Sequence, residues 1–452
     1  MYYLLPYLLN VVYACLLAVV WPWLLYQAVT KRKYREGFAE KFLGSVPERS
    51  GDAPCLWLHA VSVGEVNLLA TLLKEFRRRH PAWQCVISTT TMTGMALARK
   101  KHRDLLSFYC PLDFSWAVRR AMRRMRPDVL ALAELEVWPN LVRAAGEHGA
   151  RVAIFNGRLS EKSFRGYLRI APLVRTTLAR VDMVASQNRE YAERFVALGA
   201  RPHTVHVTGS MKFDGAQTDR RNEQTRRLAA LAGITPDEIV FLAGSTQEPE
   251  EQLAIEAFKQ LAPRHPRLRL IIVPRHPERF DSVAALLVAS GLPWQRRSRM
   301  GNSESGMGNG TALFPIPHSS FPIILVDAVG ELGAWWGTAA IAFVGGSLGR
   351  RGGQNMIEPA AYGAAVAFGP NTWNFRDIVA ALLEHQAAVV VYDGAELTAF
   401  VERCLAQPDF AQTLGMRARE FVATQLGATA RTVDQLEPLL ALRADAARRR
   451  AA

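Results

Sequence analysis

The chain has 452 residues, long for a single core and enough for two domains of ordinary size. Hydrophobic residues make up 49% and charged residues 21%, which leaves a globular protein with a substantial core as the class. A net charge of +14 favours acidic partners, and five cysteines without a CxxC pair argue against a disulfide scaffold or a zinc site.

The first thirty residues carry no charge, and Lys31-Arg32-Lys33-Tyr34-Arg35 follows at once. An uncharged run of this length can cross a bilayer core. A secretory signal has its positive charges before the apolar part; here they come after, so the positive-inside rule places the rest of the chain on the cytoplasmic side. Tyr2, Tyr3, Trp21, Trp23 and Tyr26 flank the run as an interfacial belt. Residues 1–30 are therefore expected to be a membrane anchor. Pro6, Asn10 and Pro22 interrupt the run and keep a helix lying in the interface as the alternative.

From Cys55 to Asp214 strand-like runs alternate with helical patterns. The expected strands are Pro54–His59, Gln84–Ser88, Asp128–Ala133, Arg151–Phe155, Met183–Ser186 and Thr204–Val207, with helices such as 66–79 and 190–198 between them. The polar stretch 215–222 reads as an interdomain crossing. The alternation restarts at Ile239–Ala243, Leu268–Val273, Ile323–Val326, Ala340–Val344 and Ala365–Phe368. The expectation is an α/β chain of two doubly wound, Rossmann-like domains, 31–214 and 223–430, with a cleft between them and a basic tail at 431–452. In such sheets ligands bind beyond the carboxyl ends of the strands. The Gly-, Ser- and Asn-rich stretch 296–320 reads as a surface loop.

Three blocks carry chemistry. His59-Ala60-Val61-Ser62-Val63-Gly64-Glu65 joins the first strand to a helix. Ser62 and Glu65 match a capping box, S-x-x-E, yet a carboxylate at a helix start is also held ionised, as a general base must be. Gly244-Ser245-Thr246-Gln247-Glu248 follows a strand and is a weak candidate for a phosphate loop. In Pro274-Arg275-His276 the arginine stands at a strand's carboxyl end, where it can clamp a phosphate. The most specific block runs from Gly345-Gly346-Ser347 to Gln354-Asn355-Met356-Ile357-Glu358. A Gly-rich loop leads into a helix whose first turn carries Asn355 and Glu358, and a carboxylate there can accept both hydroxyls of a ribose. There is no Walker A sequence, no GxGxxG after the first strand and no Asp-x-Asp pair for a metal-bound diphosphate.

Taken together, the anchor, HAVSVGE at 59–65, ELEVWPN at 134–140, GSMKFD at 209–214, GST at 244–246, PRHPERF at 274–280 and the GGSL…GGQNMIEPA block at 345–361 resemble the 3-deoxy-D-manno-octulosonic acid (Kdo) transferases of lipopolysaccharide synthesis. The family's last motif often reads GGHNPLEPA; Gln354 and Met356 depart from it, and Asn355 and Glu358 are kept. The resemblance implies a GT-B fold and metal-independent transfer of Kdo from CMP-Kdo to a lipid A precursor, with no cofactor. It implies Glu65 as the base, with Glu136 and Lys212 steadying the transition state. Pro274, Arg275, Val329, Gly330, Glu331, Asn355, Met356, Ile357 and Glu358 would line the CMP pocket. Glu134, two residues from Glu136, is a second candidate for that role.

The residue chemistry agrees: a departing phosphate needs cations, which Lys212 and Arg275 supply, and the acceptor hydroxyl needs a base. The expected function is thus an inverting transferase at the cytoplasmic face of the bacterial inner membrane. Its partners would be CMP-Kdo, the lipid acceptor and anionic membrane lipid, with no nucleic acid. Another GT-B transferase with a different lipid acceptor and a basic nucleic-acid-binding protein are the alternatives. On the helix expected at 116–126, Arg119, Arg120, Arg123 and Arg124 would form a basic face beside Trp116, Met122 and Met125 for anionic substrate or lipid.

Overall fold

The computed structural model describes residues 4–30, 36–136, 138–300 and 321–451, with side chains to residue 441. The basic run at 31–35 and most of the loop expected at 296–320 lie outside the described residues. The uncharged N-terminal segment forms one helix, Leu5–Thr30, long and apolar enough to cross a membrane. The chain, this helix included, falls into two compact units, residues 1–215 with 425–452 and residues 216–424.

The first unit is built on β1 (Cys55–His59), β2 (Gln84–Thr89), β3 (Leu106–Tyr109), β4 (Val129–Ala133), β5 (Arg151–Gly157), β6 (Met183–Ser186) and β7 (Val205–Val207). They form one parallel sheet in the order β3-β2-β1-β4-β5-β6-β7. Every residue of β1 and of β4 is buried. That is why these strands read as continuous apolar runs: both faces of a parallel sheet are covered by helices. Alternate side chains divide between two cores, Trp57 and Leu130 on one face, Leu56, Leu58 and Val129 on the other.

The second unit repeats the plan with β8 (Ile239–Thr246), β9 (Leu268–Pro274), β10 (Trp294–Arg296), β11 (Ile323–Leu325), β12 (Ile341–Val344), β13 (Ala365–Phe368) and β14 (Val389–Val390). The order is β10-β11-β9-β8-β12-β13-β14, and its pairings are parallel. The strand order reverses between β1 and β4 in the first sheet and between β8 and β12 in the second, so the loops that leave those strands splay apart and open a crevice at the carboxyl edge.

Three strands have no counterpart in the sequence reading: β3, β10 and β14. Each is an edge strand of two to four residues, and none is buried along its whole length. The domain limits also differ. The chain returns to the first unit at Gln425, and the segment expected as a basic tail belongs to the helix Ala428–Ala451. Val433, Leu436, Leu439 and Leu440 are buried in the first unit's core. Asp214 accepts the Gly427 N–H at 2.7 Å and the Thr429 N–H, holding the start of this helix, and Arg79 reaches Asp434 at 2.6 Å. A short apolar stripe among many Ala and Arg residues was masked by its composition. In the expected crossing, Arg220 belongs to the second unit, donating to the carbonyls of Tyr362, Gly337 and Ala339.

Leu436 is fully buried, so Leu436→Ala should cost about 2–5 kcal/mol, the usual loss for a core leucine. Urea unfolding should show the loss in the transition of the first unit while the second unit's midpoint stays in place. An unchanged first transition would contradict this packing.

Candidate active site

In the first unit the loop after β1 enters the helix Val63–Arg79. Ser62 is its N-cap: the Ser62 hydroxyl accepts the Glu65 N–H at 3.2 Å. In return the Glu65 carboxylate accepts the Ser62 hydroxyl at 2.7 Å and the Val61 N–H at 2.8 Å. The capping box is therefore formed, and it fixes the carboxylate at the mouth of the loop. Burial raises the Glu65 pKa, the Ser62 and Val61 bonds oppose the rise, and the charge of Glu134 adds to it.

The loop after β4 brings two more carboxylates to the same edge. Glu134 adopts the left-handed conformation, with φ 55°, and its N–H reaches the Phe155 carbonyl at 2.9 Å. Such a backbone is strained for a non-glycine residue and marks a site held by its surroundings. The Glu136 carboxylate accepts the Trp138 indole N–H at 2.5 Å. Burial pushes the Glu136 pKa up to about 7, Trp138 opposes this, and the charges of Glu65 and Glu134 raise it further. Lys212 Nζ lies 3.6 Å from a Glu134 oxygen, so the lysine's ion-pair partner is Glu134. Its neighbours hold it: the Met211 N–H donates to Asn156 Oδ1 at 3.0 Å, Met211 is buried, and Asp214 is tied to the C-terminal helix. The structure thus brings Glu65, Glu136 and Lys212 together and adds Glu134. His59, at the end of β1, is fully buried with Nδ1 2.9 Å from Ser88 Oγ, and burial lowers its pKa to about 4, so it stays neutral.

In the second unit the expected pocket residues gather at the carboxyl edge of the sheet. Pro274 ends β9, and the Arg275 N–H is held by the Thr246 carbonyl at 3.0 Å while the side chain is exposed. Glu358 lies in the short helix Ile357–Ala361. Asn355 donates to its carboxylate at 2.9 Å and accepts the Ile357 N–H at 3.1 Å. Burial raises the Glu358 pKa, opposed by Asn355 and by the charge of Arg275, which places the arginine within electrostatic reach of this carboxylate. Val329 and Gly330 are exposed, and Glu331 is held by Arg297 through two bonds of 2.9 and 2.8 Å. Met356 and Ile357 turn their side chains into the core, so their backbone is what remains to meet a ligand.

The Gly-rich loop is filled from within the unit. The buried carboxylate of Glu250 accepts the N–H groups of Gly346 at 2.7 Å, Ser347 at 2.9 Å, Leu348 at 3.0 Å and Gln247 at 2.9 Å. These loop donors already have an internal anion. The preceding loop likewise continues past Gly244 as strand, and the helix begins at Glu250. Gly345 is required at this crossing, because a Cβ there would stand 2.6 Å from Thr246 Cα and 2.7 Å from a Glu250 oxygen. Sequence reasoning missed Glu250, since one acid in the run 248–251 looks like any first-turn glutamate. It also missed Arg350 and Arg351, which with His276 and Arg279 line a pocket of about 390 Å³ in this unit.

The basic face at 116–126 is only partly free. Met122 and Met125 are core residues, Arg119 lies 3.4 Å from Glu147, and Arg124 donates to the Val46 carbonyl at 2.5 Å. Arg120 and Arg123 are exposed beside Trp116. Among the described residues, no group of three His, Cys, Asp or Glu side chains is placed to hold a metal ion.

Two parallel α/β units with functional residues at the carboxyl edges of their sheets define a chain of the GT-B class. A UDP-GlcNAc 2-epimerase from Neisseria meningitidis shares the fold, with a TM-score of 0.55 at 12% identity over 85% of this chain and 100% of that one. The family model described as 3-deoxy-D-manno-octulosonic-acid transferase (kdotransferase) matches residues 33–215. A 3-deoxy-D-manno-octulosonic acid transferase from Bordetella pertussis is 35% identical over 93% of this chain and 96% of its own length. One from Haemophilus influenzae is 30% identical over 91% and 93%. The chain belongs to the Kdo transferase family and is a glycosyltransferase.

A carboxyl group whose pKa rises on folding, as that of Glu136 does from 4.5 to about 7, favours the folded state while it is protonated. That stability is present below about 4.5 and is lost as the pH rises to about 7. Asp113, also raised to about 7 by burial, acts in the same window. Melting temperature should therefore fall across this range, and Glu136→Gln should make the fall shallower. An identical slope in parent and variant would show that Glu136 titrates normally.

Proposed function

We propose that the chain transfers Kdo from CMP-Kdo to a lipid A precursor with inversion and without a metal ion, its two α/β units standing on the cytoplasmic side of the inner membrane. The observation that carries this reading is the cluster of Glu65, Glu134, Glu136 and Lys212 at one sheet edge, in a family named for Kdo transfer. Glu65, ionised and fixed by its capping bonds, takes the proton of the acceptor hydroxyl. The freed oxygen attacks the anomeric carbon from the face opposite the nucleotide, and the bond to the phosphate breaks with its electron pair leaving on CMP. A carboxylate with a raised pKa accepts the proton more readily near neutral pH than an ordinary glutamate. Lys212 places positive charge beside these acids, and Glu136 shares the site as the second carboxyl group.

On the donor side, the Glu358 carboxylate, aligned by Asn355, suits the ribose hydroxyls, and Arg275 suits the phosphate. Pro274, Val329, Gly330 and Glu331 and the backbone of Met356 and Ile357 complete the CMP pocket in this reading. Because Glu250 occupies the loop donors, the positive charge for a departing phosphate is assigned to side chains, Arg275 first, with Arg279, Arg350 and Arg351 lining the neighbouring pocket. The apolar helix Leu5–Thr30 and the exposed Arg120 and Arg123 fit an enzyme working at an anionic membrane surface.

Glu65→Gln retains an oxygen for the capping box, so its cost in stability should stay within about 1 kcal/mol. Turnover should nevertheless fall by roughly 10²–10⁴-fold, the usual worth of a general base. Turnover within a few-fold of the parent, at unchanged CMP binding, would remove Glu65 from this role and make Glu136 the next carboxylate to test. In calorimetry, Arg275→Ala and Glu358→Ala should weaken CMP binding by about tenfold or more, the loss expected for a charged hydrogen bond, while Glu65→Ala leaves it in place. Equal affinity in all three variants would refute the donor assignment. Transfer should persist in EDTA; loss restored by magnesium would count against the metal-free mechanism.

A further inference from the structure

The helix Leu5–Thr30 meets the first unit along one face. Asn10, Tyr13, Leu17, Val20 and Leu24 follow at three- and four-residue steps, the spacing that keeps side chains on one side of a helix. The early part of this face is bonded to the unit. Asn10 donates to Ser115 Oγ at 2.8 Å and accepts the Ser115 N–H at 2.9 Å, and the Tyr13 hydroxyl donates to Asp113 at 3.0 Å. Asp113 in turn accepts the N–H groups of Asn140 and Leu141, so the helix is pinned to a rigid part of the unit. Beyond Tyr13 the same face stands off and encloses a pocket of about 600 Å³, a size typical of ligand sites.

Leu17, Val20 and Leu24 form one wall of the pocket, and Phe114, Leu135 and Trp138 contribute to the rest. Its polar groups include Glu136 and Tyr167, whose hydroxyl feels the Glu136 charge. The occupant must therefore be apolar over most of its length and polar at one end. A wholly polar ligand would leave its groups unpaired against leucine and valine. A bare hydrocarbon would gain nothing from Glu136. The opposite face of the helix is exposed and apolar, with Val19 79% exposed, so the wall of the pocket is shared with a helix suited to a hydrocarbon layer.

We propose that this pocket takes a fatty acyl chain of the lipid acceptor and so holds the acceptor's hydroxyl-bearing head near Glu136. The proposal rests on the lipid-acceptor reading given above and adds that the anchor helix is part of the acceptor site, through Leu17, Val20 and Leu24.

Full-length enzyme in phospholipid vesicles would be assayed with CMP-Kdo and two acceptors that share one head group, one fully acylated and one with its ester-linked chains removed. Leu17→Trp and Val20→Trp fill the pocket, and Val19→Trp, on the outward face, is the control. Filling should raise KM for the acylated acceptor by about tenfold or more, on the scale of two or more buried methylenes. KM for the de-esterified acceptor and for CMP-Kdo should stay within about twofold, and Val19→Trp should match the parent. If both pocket variants keep the parental KM for the acylated acceptor, or shift both acceptors equally, the acyl site is overturned. Loss of vesicle retention with unaltered KM would assign the pocket to bilayer lipid and overturn it as well. Failure of the parent to transfer to either acceptor would instead defeat the functional reading on which the proposal stands.

Discussion

The loops that carry the candidate site residues of the first unit, and the Gly-rich loop of the second, are held by carboxylates that accept backbone N–H groups. A parallel sheet covered by helices satisfies its own backbone, but the turns at its carboxyl edge do not, and a buried N–H without a partner costs about as much as a lost hydrogen bond. Glu65 serves Val61 at the first loop, and Asp113 serves Asn140 and Leu141 at the helix that follows Glu136. Asp214 serves Gly427 and Thr429 beside Lys212, and Glu250 serves four donors across the loops after β8 and β12. The loops that carry Glu65, Glu136 and Lys212 are therefore fixed by acids in or beside them as well as by their strands.

This device has an electrostatic consequence. Burying several carboxylates at one edge raises their pKa values, and the charges of Glu65 and Glu134 raise that of Glu136 further. Lys212 is the cation set against them, and it pairs with Glu134 at a distance that leaves the pair loose. Burial and like charge thus act on neighbouring carboxyl groups at one sheet edge, the kind of environment that shifts pKa values at acid–base sites. In the second unit Glu250 takes up the loop's N–H donors, and the positive charge at that edge lies on arginine side chains. The long apolar helix enters this scheme through Tyr13, whose hydroxyl shares the Asp113 carboxylate with two backbone donors.

The parallel sheets were legible because interior strands are apolar on both faces, and β1, β4 and β8 each open with at least four apolar residues in a row. The edge strands β3, β10 and β14 are two to four residues long and have a partner strand on one side only, so their signal is shorter. The capping motif of Ser62 and Glu65 was equally plain, because a capping box is local and needs residues three apart. The uncharged N-terminal run and the grouping of Arg275, Asn355 and Glu358 at strand ends followed from pattern and resemblance.

What the sequence by itself determined was thus what local spacing and burial dictate: the two α/β series, the apolar helix, the capped loop and the identity of the charged groups near the strand ends. Only the tertiary structure decided which of these groups meet. Glu250 reaches a loop almost a hundred residues away, Lys212 finds Glu134 across the sheet edge, and the C-terminal helix returns to the first unit through a stripe of four apolar residues. Met356 and Ile357 were expected to line a binding pocket, yet their side chains are buried in the core. The physical reason is common to all four: a side chain's partner is set by how strands are ordered and helices packed, and contacts between residues distant in the chain leave no period or spacing in the sequence.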